Sequence, residues 1–410
     1  MKSICIYLQI HQPHRVKRYG LFDIGSDHSY FNGDEENDLN NRRVLRKVAE
    51  KSYLPAARVL ARLLERHQAF RFAVSFSGIA LEQLERDAPE VIALFQDMVQ
   101  TGRLELLGET YYHSLAFFFS RTEFELQVRK HAELIERLFG VSPRVFRNTE
   151  LSYTNALGTW ADEQGYLGIL AEGWDPILRG RSPNYVYRPP GARRTKLLLK
   201  NYRLSDDIAF RFSSRDWEGW PLTSGKYGQW MGAEGGDTVN LFMDYETFGE
   251  HQWEDTGIFH FLEALPAELL QNPGLAFMTP SLVIAAHQDR DVVDVPGVTT
   301  WADTDRDLTA WLGNELQHAA IGTLYGLEDR VHATGDSELL EDWRRLQTSD
   351  HFYYMCTKWA ADGDVHAYFS PYGTPYEAHT TFMHALKDLE WRVRQHERAL
   401  TNPLVEPVLV

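Results

Sequence analysis

The chain has 410 residues, so about two domains, or one large barrel with an appendage, are expected. Hydrophobic residues make up 43% and charged residues 24%, which is ordinary for a globular protein with a sizeable core. Disorder is therefore not the default. The formal net charge of −16 argues against nucleic acid or an acidic polymer as a partner, because phosphate binding needs a basic face.

Cysteine usage and hydropathy indicate the compartment. The two cysteines, Cys5 and Cys356, exclude a disulfide framework and a cysteine-rich metal site. The apolar start of the chain is short and lacks a small-residue cleavage site. Since no segment approaches the roughly 20 apolar residues of a membrane span, we expect a cytoplasmic protein without a membrane partner. An oligomeric state does not follow from these features.

The aromatic content points to a class of ligand. The chain contains 11 Trp, 19 Tyr and 22 Phe residues, and these make up 13% of it, more than core packing usually requires. Neutral, ring-shaped ligands such as sugars stack well on aromatic faces.

Seven short runs predict β-strands, and most are continuously apolar, as buried parallel strands are. They cover residues 4–10, 70–76, 104–107, 144–146, 167–171, 239–243 and 275–278. Helical patterns such as residues 43–66 and 81–99 separate the runs. This order predicts an α/β fold with a parallel barrel, whose strand ends should carry the chemistry.

Capping signals mark two of the helices. Ser120 with Glu123 forms a capping-box pattern, and Gly140 follows the last apolar turn of that helix. Thr279 and Pro280 resemble an N-cap and first helical residue.

The strand pattern is lost after residue 295, and helical segments follow at about 305–328, 337–361 and 375–400. We therefore predict a catalytic barrel domain at 1–295 and a helical bundle domain at 296–410. The stretches 17–40 and 176–226 are rich in Gly, Pro, Arg and Asp. Loops of this length are often functional lids, although the second is expected to contain some strand.

Polar bursts follow four of the apolar runs, where a barrel would bring its loops together. They are HQPH at 11–14, GETYYHS at 108–114, RNTE at 147–150 and DYETFGEH at 244–251. Each alone is explained by an ordinary structural role, but four in register are harder to dismiss.

Glu150 and Asp244 are the best-placed pair of carboxylates. Cleavage of a glycosidic bond needs two carboxyl groups, one acting as acid and the other as nucleophile or base. Glu246 is a rival to Asp244, but Asp244 comes first after the apolar run, at the predicted strand tip.

Other chemistries have weaker support. Proline separates His11 from His14, and no H-x-x-x-H pattern suggests a zinc helix. The SFSG segment at 75–78 lacks the first glycine of a nucleophile elbow, and no phosphate-binding loop motif is present. We therefore expect no metal and no cofactor.

Several further residues allow either a binding or a packing role. Trp174 and Trp253 could stack on sugar rings or pack internally. Asp206 and Asp207 are expected in N-cap or turn positions, while Trp301 and Trp311 are expected to be core residues.

Taken together, the motifs resemble those of glycoside hydrolase family 57, specifically its α-amylase-type members. The matching segments, in chain order, are HQPH, GRLELLGETYYHS, VFRNTELSY, FMDYETFGEHQW and LQTSDHFYYM. The resemblance implies a distorted (β/α)7 barrel followed by a helical bundle. It also implies cleavage of α-glucans with retention of configuration and without a metal.

The resemblance also implies roles for matching residues. Glu150 corresponds to the catalytic nucleophile and Asp244 to the acid/base. His11 would line the subsite where the sugar ring is cleaved, and Asp350 would enter the same pocket from the helical domain. The remaining motif residues expected to bind substrate are Gln12, His14, Glu109, His113, Tyr245 and Glu246.

One departure concerns the fifth motif, where Tyr353 stands in place of a tryptophan found near the aspartate in transferase members. Acceptor preference therefore stays open, and the family also contains glucanotransferases, branching enzymes and galactosidases. A metal-dependent polysaccharide deacetylase on a similar barrel and a catalytically silent glucan-binding protein are the alternatives from other classes.

Overall fold

The computed structural model describes residues 1–33, 38–358 and 369–401. Residues 34–37 of the predicted 17–40 loop lie outside the described residues. The same holds for residues 359–361 at the end of a predicted helix.

Eight strands lie within the described residues, and every pairing between them is parallel. In chain order they are β1 Lys2–Ile10, β2 Phe72–Phe76, β3 Leu104–Leu106, β4 Val145–Arg147, β5 Gly168–Glu172, β6 Lys196–Lys200, β7 Thr238–Asp244 and β8 Leu275–Phe277. Each of the seven predicted runs overlaps one of these strands.

The strands form two sheets, ordered β3-β2-β1-β7 with β8 paired to β1, and β4-β5-β6. The sheets join at both edges. Gly108 after β3 receives a hydrogen bond from Arg147 at 2.8 Å and donates one to Val145 at 3.0 Å. The Asn201 amide after β6 donates to the Asn240 carbonyl of β7 at 2.8 Å. Strands β1 to β7 therefore close into a distorted parallel barrel, as the family resemblance predicts.

The barrel differs from the predicted runs at one strand. β6 has the sequence KLLLK and lies within the 176–226 stretch, where basic and turn-forming residues surround its three leucines. The predicted seventh run is β8, which pairs only with the first residues of β1 and lies outside the ring. The ring thus has seven strands, but β6 takes the place that the sequence pattern assigns to β8.

Helices follow most of the strands. Within the first part of the chain they are α1 Asn41–Val48, α2 Leu54–Arg66, α3 Gly78–Asp87, α4 Pro89–Gln100, α5 Arg121–Phe139, α6 Asn155–Gln164, α7 Asp175–Leu178, α8 Tyr202–Ala209, α9 Ser224–Ala233, α10 Ile258–Leu270 and α11 Pro280–Ala286. A π-helical turn, Ala49–Tyr53, joins α1 to α2. The capping bond predicted for α5 is present, since the Glu123 amide donates to Ser120 Oγ at 3.2 Å.

The later part of the chain is helical, as predicted. Its helices are α12 Thr309–Leu312, α13 Glu315–Tyr325, α14 Glu328–Thr334, α15 Ser337–Arg345, α16 Ser349–Tyr353 and α17 Pro375–Thr401. None of the helices in the described parts of the chain has the length and apolarity needed to cross a bilayer.

The barrel interior is a fully buried apolar core. One residue from each of six strands contributes to it: Tyr7, Ala73, Val145, Leu170, Leu198 and Phe242. Neighbouring strand residues face the opposite side. Phe146, for example, packs outside the ring with its centroid 5.0 Å from that of Trp160.

The chain divides into two compact units that are not continuous in sequence. The first comprises Met1–Gln12, Leu45–Tyr111 and Phe124–Ala302. The second comprises Pro13–Val44, Tyr112–Glu123 and the residues from Asp303 onward. This division differs from the single boundary predicted at 295, because two early segments belong with the late helices.

Ion pairs and hydrogen bonds explain why those segments belong to the second unit. Asp388 of α17 is fully buried and accepts hydrogen bonds from the Gly25 amide at 2.6 Å and the Tyr30 hydroxyl at 2.6 Å. Glu123 forms a two-pronged ion pair with Arg344 of α15, at 2.9 and 3.0 Å. Contacts distant in sequence, rather than local composition, therefore set the unit boundary.

Candidate active site

A layer of polar side chains lies at the carboxyl ends of the barrel strands. Residues two apart in a strand face the same side, so the residue two positions after each core residue also faces the interior. For the six core residues this rule gives Gln9, Ser75, Arg147, Glu172, Lys200 and Asp244. All six are polar, and four are ionisable. This layer, which we call the lumen layer, lies where parallel barrels carry their active sites.

Glu150 lies just beyond the lumen layer, in the short 3-10 turn Thr149–Leu151 after β4. Its backbone is left-handed, with φ 59° and ψ 27°, and Leu151 has φ 51°. Residues other than glycine rarely adopt this conformation, and such strain persists only where surrounding contacts maintain it. Here the Ser152 amide donates to the Thr149 carbonyl at 2.9 Å and closes the turn.

Trp301 contacts Glu150 through both backbone and side chain. Its amide donates to the Glu150 carbonyl at 3.2 Å, and its indole Nε1 donates to Glu150 Oε2 at 2.8 Å. The guanidinium carbon of Arg147 lies 4.8 Å from the ring centre of Trp301, and Lys200 Nζ lies 5.4 Å from it. Trp301 packs against the core cluster, as expected from the sequence, but its contact with Glu150 spans 151 positions and has no local sequence signal.

The end of β7 carries two neighbouring carboxyl groups. Asp244 is the last residue of β7, and Glu246 follows in a 3-10 turn. Glu246 is buried and accepts hydrogen bonds from the Tyr53 hydroxyl and the Gln12 side chain. Burial, together with the charge of Asp244, raises the pKa of Glu246 to about 8. Glu246 therefore holds its proton to higher pH than an ordinary carboxyl group does.

Three charged residues of the site influence the pKa of Tyr7. The Tyr7 hydroxyl lies 2.7 Å from Ser75 Oγ in the barrel interior. Burial raises the pKa of this hydroxyl; the positive charge of Arg147 opposes that rise, while Glu109 and Asp244 add to it. The charges of Glu109 after β3, Arg147 of β4 and Asp244 of β7 therefore all act on the Tyr7 hydroxyl.

Three other predicted residues of the first unit differ in their surroundings. His11 is partly buried, with Nδ1 2.7 Å from Ser77 Oγ. Glu109 is fully buried and accepts from Ser75 Oγ at 2.6 Å and Gln9 Nε2 at 3.2 Å. Tyr245 is also fully buried and packs against the rings of two other aromatic residues, which is the environment of a core residue.

The two predicted sugar-stacking tryptophans of the first unit are less enclosed. Trp174 is partly buried and immediately precedes α7. Trp253 is 54% exposed, and Lys51 Nζ lies 4.6 Å from its ring centre. Much of the Trp253 surface is therefore accessible to a ligand.

Four predicted residues belong to the second unit. His14 is buried beside Phe31, with their ring centres 6.0 Å apart. His113 is buried, has a φ of 52°, and offers a ligand atom within 4.8 Å of one from Asp350. Tyr353 packs near Trp311, at 5.8 Å between ring centres.

Asp206 and Asp207 do not have the N-cap or turn roles expected from the sequence. Both lie within α8, whose N-cap is Asn201. Asp206 lies 3.1 Å from Lys200 Nζ, and Asp207 lies 2.7 Å from Arg211 Nε. They are therefore ion-pair partners on a helix, and Asp206 helps to hold a cation of the lumen layer.

Comparison with known proteins identifies the family. The sequence profile described as "Glycosyl hydrolase family 57" matches residues 5–296. A protein from Methanocaldococcus jannaschii named "Putative alpha-amylase" is 37% identical over 403 residues, which cover 96% of this chain and 85% of the relative. These matches span the barrel and all four of its sequence motifs.

Solved structures show the same fold at low sequence identity. A branching enzyme of this family from Thermococcus kodakaraensis, solved in complex with glucose and additives, superposes with a TM-score of 0.70 at 12% identity. The match covers 99% of this chain and 92% of that one. A 4-alpha-glucanotransferase from Thermococcus litoralis gives a TM-score of 0.60 at 16% identity, and the match covers 86% of this chain and 56% of the transferase.

Proposed function

Because the chain belongs to glycosyl hydrolase family 57, we propose that it is a retaining glycoside hydrolase that cleaves α-1,4-glucans. Starch, glycogen and maltooligosaccharides are the proposed substrates, Glu150 is the nucleophile and Asp244 is the acid/base. The observation that carries the proposal is the contrast between the surroundings of these two carboxylates. Catalytic carboxylates divide their roles when their environments favour different protonation states.

The surroundings of Glu150 favour its ionised form. The indole N–H of Trp301 donates directly to the carboxylate at 2.8 Å. A hydrogen bond donated to a carboxylate stabilises the charged form, as do positive charges nearby. Arg147 and Lys200 lie 4.8 and 5.4 Å from the ring centre of this indole donor. An ionised carboxylate is what attack on an anomeric carbon requires.

The surroundings of Asp244 favour a shared proton. Burial, and to a smaller extent the charge of Asp244, raises the pKa of Glu246 to about 8. When two carboxyl groups interact in this way, the protons belong to the pair rather than to one residue. Asp244 is partly exposed at the strand end, whereas Glu246 is buried. Asp244 is therefore the more accessible of the two carboxyl groups, and we assign it the delivery of a proton to the substrate oxygen.

The proposed reaction has two steps. Glu150 attacks the anomeric carbon and forms a β-linked ester, while Asp244 protonates the oxygen of the leaving glucan chain. Asp244, now ionised, removes a proton from water, and the hydroxyl oxygen bonds to the anomeric carbon as the ester to Glu150 breaks. Two inversions restore the α configuration.

Transfer to a sugar acceptor is the alternative outcome of the second step. Its support is the likeness in fold to the branching enzyme and the glucanotransferase. Product chromatography with maltoheptaose alone, and then with added glucose, separates the two outcomes. A hydrolase gives shorter products with new reducing ends in both cases. A transferase gives longer products and responds strongly to the acceptor.

The expectations of a metal-free reaction and a cytoplasmic location stay predictions. Activity that withstands exhaustive chelation supports the first. Loss of activity on chelation, with recovery on addition of zinc, would instead favour a metal-dependent deacetylase, whose product is acetate rather than a shorter glucan.

A further inference from the structure

Trp301 is built into the wall of the barrel. Its side chain is partly buried and packs against the apolar core cluster of the interior. Its strand-like segment is tied to the turn after β4, because Thr299 and Tyr153 exchange two backbone hydrogen bonds at 2.8 and 3.0 Å. The indole ring therefore has little freedom to move away from Glu150.

The hydrogen bond from Trp301 is directed at a residue whose backbone is strained. Glu150 has a left-handed backbone, so its side chain is aimed by an unusual conformation that requires support. Trp301 supports the backbone at the Glu150 carbonyl and the side chain at Oε2. Two contacts from one residue restrict both the turn and the carboxylate.

Positive charge on the indole face strengthens this donor. A cation over an aromatic face withdraws electron density from the ring, which makes the indole N–H a better hydrogen-bond donor. Arg147 is fully buried, and its guanidinium nitrogens have no hydrogen-bond partner among the residues that the structure describes. Its charge is therefore exerted through space on the ring of Trp301, 4.8 Å away.

The other charged groups around this contact partly offset one another. Lys200 of β6 lies 5.4 Å from the ring centre of Trp301. It is itself paired with Glu172 of β5 at 3.7 Å and with Asp206 of α8 at 3.1 Å. Arg147 of β4 is thus the cation near Trp301 whose charge is least balanced by these ion pairs.

We propose that Trp301 is a positioning residue for the nucleophile, and that Arg147 enhances the hydrogen bond by which Trp301 orients Glu150 and keeps it ionised. This inference rests on the proposed function, since it assigns Trp301 a role only if Glu150 attacks the sugar. Trp301 acts through Glu150 and not on the substrate itself.

Trp301→Phe tests the proposal, because phenylalanine keeps an aromatic ring in the wall but lacks the N–H donor. The rate of the first step is measured as kcat/KM against pH with an α-maltosyl fluoride donor, whose leaving group needs little acid assistance. We expect the acid limb of this profile to move up by about one pH unit, and the plateau to fall by about 10- to 100-fold.

Trp343→Phe is the matched control. Trp343 is fully buried in the second unit, and its indole nitrogen donates to the Leu324 carbonyl at 2.8 Å. The control variant also loses one indole hydrogen bond, and its thermal midpoint should fall, but its acid limb should coincide with that of the wild type. A shift shared by Trp301→Phe and Trp343→Phe would overturn the proposal, because it would report general loosening of the fold.

Arg147→Met and Arg147→Lys test the cation. Methionine retains much of the volume and removes the charge, so the acid limb should move in the same direction as in Trp301→Phe, by about half as much. Lysine restores the charge and should recover part of the shift. In the double variant Arg147→Met/Trp301→Phe the arginine should add little, since its effect passes through the indole; full additivity of the two shifts would contradict that coupling.

Glu150→Gln separates this proposal from the proposed function. If Glu150→Gln is inactive and Trp301→Phe has the wild-type acid limb, only the positioning role is lost. If Glu150→Gln retains normal turnover, the nucleophile assignment is wrong and the positioning role falls with it.

Discussion

The ends of β4 and β7 hold the two proposed catalytic carboxylates in opposite surroundings. Beyond β4, a strained turn presents Glu150 to an indole N–H, with two cations on the indole ring. At β7, Asp244 ends a regular strand beside the buried Glu246. One barrel thus holds one carboxylate beside an N–H donor and, at another strand end, a second carboxylate beside a carboxyl group of raised pKa. Neighbouring groups, rather than the carboxyl groups themselves, therefore distinguish the two proposed roles.

Alanine variants of the two carboxylates should have the largest effects on activity. Glu150→Ala should be inactive on every glucan substrate, because the attack on carbon is needed whatever the leaving group. Asp244→Ala should lose about 10²- to 10⁴-fold on maltooligosaccharides, yet still form the glycosyl-enzyme from an activated donor in a burst. Rates measured for both variants with maltooligosaccharides and with the activated donor check this expectation.

Azide distinguishes the two variants by product configuration. In Asp244→Ala, azide takes the place of water in the second step and should give an α-glycosyl azide. In Glu150→Ala, azide fills the space of the lost carboxylate, attacks an α-fluoride donor directly and should give the β product. The same anomer from both variants would show that the roles are wrongly assigned.

Asp350→Ala tests the predicted contribution of the helical domain to catalysis. Loss of one hydrogen bond from a charged group to substrate should lower kcat/KM about 10- to 100-fold. Truncation near residue 300 is a poorer test, because segments 13–44 and 112–123 would lose the helices with which they pack.

Asp336→Ala is the control for Asp350→Ala. Asp336 caps α15 by accepting from the Glu338 and Leu339 amides, so its loss should cost about 1 kcal/mol of stability with activity retained. Normal kcat/KM in Asp350→Ala would refute the contribution of Asp350.

Glu246→Gln tests the raised pKa of Glu246 through the pH dependence of stability. The folded-state pKa of Glu246 is raised to about 8 from an ordinary 4.5. Between these values the unfolded chain releases the proton and the folded chain retains it, so wild-type stability falls as pH rises. Glutamine cannot ionise and so removes this pH dependence. As the pH rises from 5 to 8, the thermal midpoint of the variant should therefore increase by a few degrees relative to that of the wild type.

Glu263→Gln is the control for that measurement. Burial raises the pKa of Glu263, but hydrogen bonds and ion pairs with Arg62 and Arg66 together outweigh it, so the pKa is lowered overall. The stabilisation by ionised Glu263 is therefore present above the pKa of the unfolded chain and is lost only in acid. The difference in thermal midpoint between Glu263→Gln and the wild type should stay constant from pH 5 to pH 8. If the difference in thermal midpoint between Glu246→Gln and the wild type is equally constant, the pKa of Glu246 is not raised.

Trp253→Ala should have the smallest effect. This residue is 54% exposed beyond the end of β7, and stacking on one sugar ring at such a position is worth about 2- to 10-fold in KM, with kcat nearly unchanged. Trp220, which is 43% exposed, is the matched control, and Trp220→Ala should leave KM unchanged. Equal KM values for the two variants would remove Trp253 from the binding residues.

The sequence predicts the barrel well because buried parallel strands are continuously apolar, and this signal is local. β6 is not among the seven predicted runs, although some strand is expected in the 176–226 stretch. Its three leucines lie between two lysines, one of which, Lys200, belongs to the lumen layer. The unit boundary is missed because buried Asp388 binds a segment more than 350 positions earlier, a contact without a compositional signature.

The candidate site is predicted in part. Motif order selects Glu150 and Asp244 as candidates, since Glu150 follows the end of β4 and Asp244 ends β7. Trp301 cannot be selected in this way, because it reaches Glu150 through a segment that returns to the barrel after β8. The role of Arg147 also depends on that contact. Residues that act by orienting other residues can be identified only from the folded structure, because their contacts are distant in sequence.

Trapping the covalent intermediate tests the central claim most directly. A slow 5-fluoro-α-glycosyl fluoride donor is incubated with the intact protein, and the labelled peptide is identified by mass spectrometry. The account predicts a single ester on the peptide that contains Glu150, formed in the wild type and in Asp244→Ala but not in Glu150→Ala. A label on Asp244 or Glu246, or turnover with inverted configuration and no ester, would contradict it.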